Sequence, residues 1–376
     1  MKPPDTGSGS GSALRMMITE SPQLRRSFLL WFGLNGIYSI LNKKVFHSVN
    51  NYPWSVATIQ MSTGFLFFAP LWLLGIRDVP HVPTVDELKT TYLPLALCHT
   101  IVHIGATAAA ATAVASSSST SRVAVSLSLA YFIKAFEPII TGGLSYRFLH
   151  PQQILSKSVY TGLLLLTGGA ALSAFNKKKF SLTLSTAILA ILITVSSSVR
   201  CVFSKMILLR SSSVAATNKH KNKNSSSSSS PTMDVHNLYA IVTILSTCLL
   251  LPATLVLEGT GIVSALKDPD LPGLKALEQF LFCGLLLLSG LCYYGFNDAM
   301  FATLDHVQHP VSHAVGNTVK RNVFILISLI TYGTPTSKST VVGSIMALVG
   351  TYLYAREMNK NPPTAALSVD KKKKKK

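Results

Sequence analysis

Long apolar stretches alternate with short polar connections along most of this chain. A membrane-spanning helix needs about 20 mostly apolar residues in succession. Stretches near this length recur from residue 28 to residue 355. The pattern predicts ten transmembrane helices, at 28–46, 54–75, 92–113, 123–149, 158–175, 182–209, 236–257, 276–300, 311–333 and 340–355.

Three polar segments lie outside this pattern. The arm at 1–24 contains Gly-Ser repeats, the loop at 211–231 is basic and Ser-rich, and the tail at 357–376 is basic. The arm and the loop are too poor in apolar residues to form a core, so both are predicted to be disordered. The remaining chain divides into two sets of five spans, at 25–180 and 181–356.

The charge of the chain fits a membrane protein. Lys and Arg number 34 against 15 Asp and Glu, yet charged residues make up only 13% of the chain, about half of the roughly 25% usual in soluble domains. The positive residues mostly flank apolar stretches, which does not fit a nucleic-acid-binding surface. With both termini in the cytosol, the cytosolic segments carry the larger share of Lys and Arg. Both termini are therefore predicted to be cytosolic.

The cysteines give no sign of a metal or disulfide site. All five lie in apolar segments, and neither a CxxC motif nor a Cys/His ligand spacing is present. Such cysteines are typical of buried apolar filler. No metal and no cofactor are predicted.

Three cations lie inside the fourth and ninth predicted spans. Lys134 belongs to YFIKAFEP, and Lys320 and Arg321 to HPVSHAVGNTVKRNVFILI. Charge inside a bilayer is costly, so such residues are functional candidates. Arg can hold two phosphate oxygens and Lys acts as a compact point charge, which predicts a phosphate site. In the alternative, Lys134 pairs with Glu137 and the other two extend toward the membrane interface.

The two spans with internal charge hold the same place in each set of five. Paired positions of this kind are typical of transporters built from inverted repeats, with the site between the halves. Pro138, directly after Glu137, is expected to loosen the fourth helix near the site. Asn317 and His313 lie about one and two turns before the charged pair of the ninth span.

Five segments resemble the plastidic phosphate translocators of the drug/metabolite transporter superfamily, in the same order along the chain. They are LNGIYSILNKKVF (34–46), PLALCHTIVHIGAT (94–107), RVAVS…IKAFEP (122–138), MDVHNLYA (233–240) and SHAVGNTVKR (312–321). The resemblance implies an all-α membrane protein with about ten transmembrane helices in two inverted five-helix halves. It also implies strict exchange of inorganic phosphate for a phosphorylated C3, C5 or C6 compound.

The resemblance also implies a substrate site. By position in the family motifs, Lys134, Lys320 and Arg321 correspond to the phosphate clamp, and His103 to a polar substrate contact in the third helix. Thr107 lies four residues further on and therefore shares the face of His103. A packed histidine that is satisfied within the protein is the alternative for His103.

The chain departs from the family pattern at two places. The Ala- and Ser-rich stretch 108–121 lengthens the spacing between His103 and the clamp lysine. Phe296 stands where triose-phosphate members carry a tyrosine hydroxyl, and Tyr294 is a candidate substitute. The position of His103 and the identity of the exchanged substrate are therefore open.

Three further polar residues lie in or near predicted spans. Arg200 and Lys205 match the sixth-helix pattern of the family, although cations at a helix end near the interface are an equal alternative. Asp298 is expected either to pair with a clamp cation or to cap a helix.

The predicted function is an antiporter that exchanges phosphate for triose phosphate or 3-phosphoglycerate across a plastid membrane by alternating access. Pentose-phosphate or phosphoenolpyruvate/phosphate exchange is an alternative, as is a nucleotide-sugar carrier of the endoplasmic reticulum or Golgi. SHAVGNTVKR together with Lys134 favours a small phosphate ester. An enzyme such as a lipid-phosphate transferase is not expected, because no DxD, HExxH or paired-acid motif lies at a membrane edge. The intact cations disfavour a purely structural protein.

The termini give conflicting signals for location. The family implies a plastid envelope, but 1–24 lacks a convincing transit sequence. The tail ends in KKKKKK, which resembles a dilysine retention signal of the endoplasmic reticulum and is equally typical of a basic tail near anionic lipid. A plastid whose outermost membrane is continuous with the endoplasmic reticulum would reconcile these signals.

Overall fold

The computed structural model describes ten stretches of the chain, each of which overlaps one predicted span, and of the span predicted at 123–149 it describes residues 131–149. They are residues 22–48, 52–80, 82–115, 131–149, 155–174, 184–221, 233–266, 276–307, 309–332 and 337–360. Within them the chain forms helices and turns and no strand. Disorder was predicted for 1–24, but residues 22–24 are helical. The rest of that arm, residues 222–231 of the predicted loop and most of the basic tail lie outside the described residues.

The described helices follow one another along the chain. Their bounds are α1 Pro22–Ser48, α2 Pro53–Ser62, α3 Phe65–Leu73, α4 Val85–Glu87, a π-helical turn Leu88–Tyr92, α5 Leu93–Ala115, α6 Glu137–Phe148, α7 Lys157–Ala174, α8 Leu184–Lys221, α9 Val235–Leu266, α10 Ala276–His306, α11 Pro310–Tyr332 and α12 Lys338–Lys360. Helix α8 continues to Lys221, so the first part of the loop predicted at 211–231 is helical. No Gly or Pro precedes Pro231 to end that helix earlier.

The outer surface of the helices fits a lipid environment. Five described helical segments are long and apolar enough to cross a membrane: Pro53–Leu73, Val85–Ala111, Ala187–Ser212, Val235–Gly261 and Phe280–His306. Large apolar side chains point outward, among them Leu73 at 87% exposure and Val256 at 80%. Extensive apolar exposure of this kind is rare on soluble monomers. The predicted all-α membrane fold is confirmed.

The tightest helix pair joins α7 to α12. Gly162 and Gly169 on one helix, and Gly343 and Gly350 on the other, each meet the backbone of the facing helix. A Cβ atom added at any of these four positions would collide with that backbone. Small residues permit such close approach and provide much of the packing between membrane helices.

The helix contacts follow an exchange pattern between the two sets of five spans. Helices that hold the same position in the two sets, here called helices of equal rank, pack together: α2 with α9, α6 with α11, and α7 with α12. The contact of α1 with α10 is matched by that of α5 with α8. Two repeats related by a twofold axis produce such a pattern. Helices α6, α8 and α11 all contact one another, and the predicted charges of the fourth and ninth spans meet there.

Candidate functional site

The fourth predicted span is interrupted at the residues that carry its charges. A helical stretch at 131–134 ends at Lys134, a turn follows, and α6 begins at Glu137 with Pro138 in its first turn. Proline has no N–H, so it cannot donate to the carbonyl four residues earlier, which belongs to Lys134. The expected loosening at Pro138 is therefore present in the structure. The interruption sets Lys134 and Glu137 in separate helical segments.

The Glu137 carboxylate is the centre of a buried hydrogen-bond network. Its side chain is 2% exposed. Arg321 Nη2 donates to Oε2 at 2.8 Å, and Asn317 Nδ2 donates to both oxygens at 3.1 and 3.2 Å. Ser197 Oγ donates to Oε1 at 2.7 Å. The carboxylate thus pairs with Arg321, and the alternative in which Lys134 takes Glu137 is not what the structure shows.

Lys320 is enclosed by aromatic rings. It is 8% exposed, and its Nζ lies 4.9 Å from the ring centroid of Trp31 and 5.9 Å from that of Phe296. Aromatic faces attract a cation but accept no ordinary hydrogen bond from it. This lysine lies inside the protein and does not extend to the membrane interface.

The cations of the site outnumber its carboxylates. Lys320 interacts electrostatically with Lys134, Arg200, Arg321 and Glu137, and Lys134 interacts with the same two arginines and the same glutamate. Among the described residues, this cluster has four basic side chains and one carboxylate, which is a formal charge of +3 when all five groups are ionised. No described residue accepts a hydrogen bond from the Nζ atom of either lysine. The arrangement can therefore accept the oxygens of an anion.

Arg200 is the cation whose place the sequence analysis left open. It is 7% exposed, in the middle of α8, so for Arg200 the helix-end alternative is wrong. Its Nη1 donates to His99 Nδ1 at 2.7 Å, which places the ring hydrogen on Nε2, 3.2 Å from the Tyr293 hydroxyl. Its Nη2 faces the Met300 sulfur at 3.8 Å, and a thioether is a weak acceptor.

Lys205, by contrast, does serve a helix end. Its Nζ donates to the carbonyls of Leu304 and Asp305 at 3.1 and 2.9 Å. These carbonyls belong to the last turn of α10, where backbone acceptors lack partners within the helix. Lys205 therefore stabilises the C-terminal end of α10.

His103 and Thr107 lie on one face of α5, as expected, but their polar atoms bond within the protein. His103 Nε2 donates to the Ala57 carbonyl at 3.1 Å, and its Nδ1 is buried without a partner. The Thr107 hydroxyl donates to carbonyls of its own helix. The histidine that reaches a site cation is His99, the first histidine of HTIVH. Its spacing of four residues from His103 was the available signal, since it places both on one face.

The two aromatic candidates of α10 lie in different surroundings. Phe296 faces Lys320, whereas the Tyr294 ring packs against Phe67 and Tyr239, each at 4.9 Å between centroids. The Tyr294 hydroxyl is buried without a partner. The hydroxyl that joins the Arg200–His99 pair comes from Tyr293, the residue just before Tyr294.

Asp298 does not pair with the cation cluster. Its Oδ1 lies 2.8 Å from His236 Nδ1, near the start of α9. Of the two alternatives for Asp298, pairing with a clamp cation is therefore wrong, because His236 on α9 takes the carboxylate. Among the described residues, no group of three or more His, Cys, Asp and Glu side chains is placed to hold a metal ion.

Membrane helices around a buried, cation-rich centre have the architecture of a transporter for anions. Residues 23–355 match the model of the Triose-phosphate Transporter family, to which the chain therefore belongs. Membership confirms the resemblance noted in the sequence. It also confirms that the protein is a membrane transporter and not an enzyme.

Similar proteins come from plant chloroplasts. The chain is 30% identical to phosphoenolpyruvate/phosphate translocator 2 of Arabidopsis thaliana, over 88% of this chain and 75% of that protein. It is 28% identical to glucose-6-phosphate/phosphate translocator 2 of Arabidopsis thaliana, over 88% and 74%. It is 27% identical to the triose phosphate/phosphate translocator of Zea mays, over 87% and 69%. A solved crystal structure shares the fold, with a TM-score of 0.50 and 12% identity over 88% of this chain and 95% of that chain.

Proposed function

We propose that the protein is an antiporter that exchanges inorganic phosphate for a phosphorylated C3 compound across a plastid membrane. The observation that carries this proposal is the convergence of Lys134, Lys320 and Arg321 around one carboxylate, Glu137, inside the helix bundle. The similar proteins are named as translocators of phosphoenolpyruvate, glucose 6-phosphate and triose phosphate, and phosphate occurs in every one of these names.

Lys134, Lys320 and Arg321 would each donate hydrogen bonds to the phosphate group. The lysine ammonium groups have no described hydrogen-bond acceptor, so their donors are available to phosphate oxygens. Arg321 gives one hydrogen bond to Glu137 and keeps further donors of its planar fork for the ligand. Phe296 and Trp31 hold the Lys320 ammonium in place while leaving its donors unused.

Glu137 would act as an internal counter-ion for the empty site. It neutralises part of the charge of Arg321 when no substrate is bound. The cluster nevertheless keeps excess positive charge, and uncompensated charge in a medium of low dielectric constant costs several kcal/mol. An empty transporter should therefore reorient slowly, and a phosphate-loaded one readily. This difference gives a physical reason for obligate exchange.

The helix pairs supply a path for alternating access. The site lies where α6 and α11, helices of equal rank in the two sets, meet α8. Rocking of one set against the other would open the site to each side of the membrane in turn. The interruption before Pro138 lets the segment with Lys134 move relative to α6.

The location in a plastid membrane is proposed from the similar proteins, whose names place them in chloroplasts. Immunolocalisation in cells of the source organism tests the location, and labelling confined to the Golgi would contradict it.

The functional test is uptake of labelled phosphate into proteoliposomes that contain the purified protein. Vesicles would be empty or preloaded with phosphate, triose phosphate, 3-phosphoglycerate, phosphoenolpyruvate, pentose phosphate, glucose 6-phosphate or a nucleotide sugar. Uptake is expected only into vesicles that contain a phosphorylated compound of low mass. Equal uptake into empty vesicles would contradict exchange, and exchange of nucleotide sugars alone would assign the protein to a different carrier class.

A further inference from the structure

His236 and Asp298 form a polar pair that lies outside the proposed phosphate site. His236 belongs to the first turn of α9, and Asp298 lies in the last third of α10. The histidine Nδ1 and the carboxylate Oδ1 are 2.8 Å apart, and the two side chains are 33% and 12% exposed. Ionisable residues in membrane helices are costly, so a pair of this kind is a functional candidate.

Helix α9 is fastened to the first set of helices near both of its ends. Near its start, Asn237 accepts a hydrogen bond from Trp72 Nε1 at 3.1 Å and donates one to the Asp78 carbonyl at 2.9 Å. Near its other end, the Glu258 carboxylate accepts a hydrogen bond from the backbone N–H of Ser55 at 2.7 Å. The first turn of α9, which carries the histidine of the pair, is therefore held in place.

The carboxylate of the pair lies on the side of α10 away from the cation cluster. Phe296 and Met300, two residues before and two after Asp298, face Lys320 and Arg200. Residues four apart share one face of a helix, and the residue midway between them lies on nearly the opposite face. This segment of α10 therefore forms a wall of the proposed phosphate site on one side and is joined to α9 on the other.

The protonation of His236 changes the balance of charge around the pair. Its charged neighbours are Asp298 on α10, Asp234 just before α9 and Arg77 after α3. Two carboxylates and one guanidinium have a formal charge of −1 when ionised, and a protonated His236 brings the group to zero. The strength of the contact between α9 and α10 therefore depends on this proton.

His236 is the residue of the pair that can respond to pH near neutrality. The other titratable groups near Asp298 are two buried phenols, those of Tyr239 and Tyr294, and phenols are uncharged near neutral pH. Histidine changes its charge between about pH 5 and pH 8, and this histidine is exposed enough to exchange protons with water. A protonated ring forms an ion pair with the carboxylate, whereas a neutral ring keeps only a weaker hydrogen bond.

We propose that His236 and Asp298 form a proton-sensitive anchor that positions the α10 wall of the phosphate site. The inference rests on the proposed function, because it concerns the affinity of that site. When His236 is protonated, the ion pair holds α10 against the fixed helix α9, and Phe296 stays in place against Lys320. Phosphate then binds more tightly than when His236 is neutral. Both members of the pair are positioning residues, since neither contacts the cation cluster.

The test measures KM for exchange of labelled phosphate in proteoliposomes with the same buffer on both sides, at about pH 6 and about pH 8. His236→Asn keeps an N–H donor near the place of Nδ1 but does not titrate, and Asp298→Asn keeps an acceptor oxygen without a charge. Each variant should raise KM several-fold over the wild type at the lower pH and much less at the higher pH. Protonation of phosphate itself cancels in these ratios, because every protein is given the same substrate.

His306→Gln is the matched control, because His306 is an exposed histidine of the same helix whose Nδ1 lies 2.7 Å from the Ala302 carbonyl. It should leave KM unchanged at both pH values. The double variant of His236 and Asp298 should raise KM no more than either single variant, since the two residues act through one contact.

A ratio of variant to wild-type KM that is the same at both pH values would overturn the anchor. The comparison with Asp298→Asn decides if His236→Asn does not fold. Independent, multiplying effects in the double variant would also overturn the anchor. A wild-type protein without any phosphate exchange would overturn the proposed function itself and the anchor with it.

Discussion

Arg321 Nη2 donates to Glu137 Oε2 at 2.8 Å, in a pair that joins α11 to the start of α6. The pair links helices of equal rank in the two sets of five spans, beside an interruption in the fourth span. The Glu137 carboxylate neutralises one of the positive charges of the cluster. Lys134 and Lys320 have no comparable partner among the described residues. The difference between these cations leads to separate predictions for each.

Glu137→Gln tests the internal counter-ion. The variant leaves Arg321 without its carboxylate, and an uncompensated buried charge costs about 3–5 kcal/mol of stability. We expect the substrate-free variant to melt at a lower temperature than the wild type. Phosphate should then raise the melting temperature more in the variant, because the ligand replaces the missing negative charge.

Differential scanning fluorimetry in detergent, with and without phosphate, measures both effects. Glu357→Gln is a suitable control, because among the described residues Glu357 pairs only with the exposed Lys360 at 3.5 Å. If Glu137→Gln and the wild type show equal phosphate-induced shifts, Glu137 is not a counter-ion of the site.

Lys134→Gln is expected to raise the stability of the protein and to lower its transport activity. Lys134 lies in a field of like charges that includes Arg321 and Arg200, and no described group accepts its hydrogen bonds. Its removal should raise the melting temperature of the substrate-free protein and reduce phosphate exchange at least about tenfold. Lys338→Gln, at the exposed start of α12, should change neither. A lower melting temperature in Lys134→Gln would show that Lys134 stabilises the fold.

The α7–α12 contact supplies a prediction about packing. A Cβ atom at Gly343 would collide with the backbone of Ser173, whereas a Cβ atom at Gly284 would meet nothing within 4 Å. Gly343→Ala should therefore destabilise the protein by about 1–3 kcal/mol through overpacking. Gly284→Ala, on the lipid-facing side of α10, should be neutral or slightly stabilising. Thermal unfolding of both variants in one detergent measures the difference, and equal stabilities would contradict the packing.

The sequence was sufficient to predict where the spans lie and to identify three of the site cations. Apolar length alone predicts a span at each described stretch, five of which have a helix long and apolar enough to cross a membrane, because lipid requires every spanning backbone to satisfy its own hydrogen bonds. Lys134, Lys320 and Arg321 stand out because charge within such a stretch is costly. The helical part of α8 at 211–221 was not predicted, because its polar, Ser-rich composition is typical of a loop even though it contains no helix breaker.

The side chains that pair with Glu137 and Arg200 could not be derived from the sequence. Glu137 follows Lys134 by three residues, so helical spacing favours their pairing. The interruption before Pro138 separates the two residues, and Arg321 approaches from another helix instead. Arg200 lies inside the predicted span 182–209, so its burial had a local signal, but its partner His99 is 101 residues earlier in the chain. Such pairs depend on how distant helices pack.

The most direct test of the central claim is phosphate/phosphate exchange by Lys320→Gln in proteoliposomes. No described residue accepts a hydrogen bond from Lys320, so the substitution removes a charge without removing a hydrogen bond within the protein. Lys360→Gln, an exposed lysine on α12, is the control. With equal amounts of folded protein, the account predicts at least a tenfold loss of exchange in Lys320→Gln and wild-type exchange in Lys360→Gln. Wild-type exchange by Lys320→Gln would contradict the assignment of this cluster as the phosphate site.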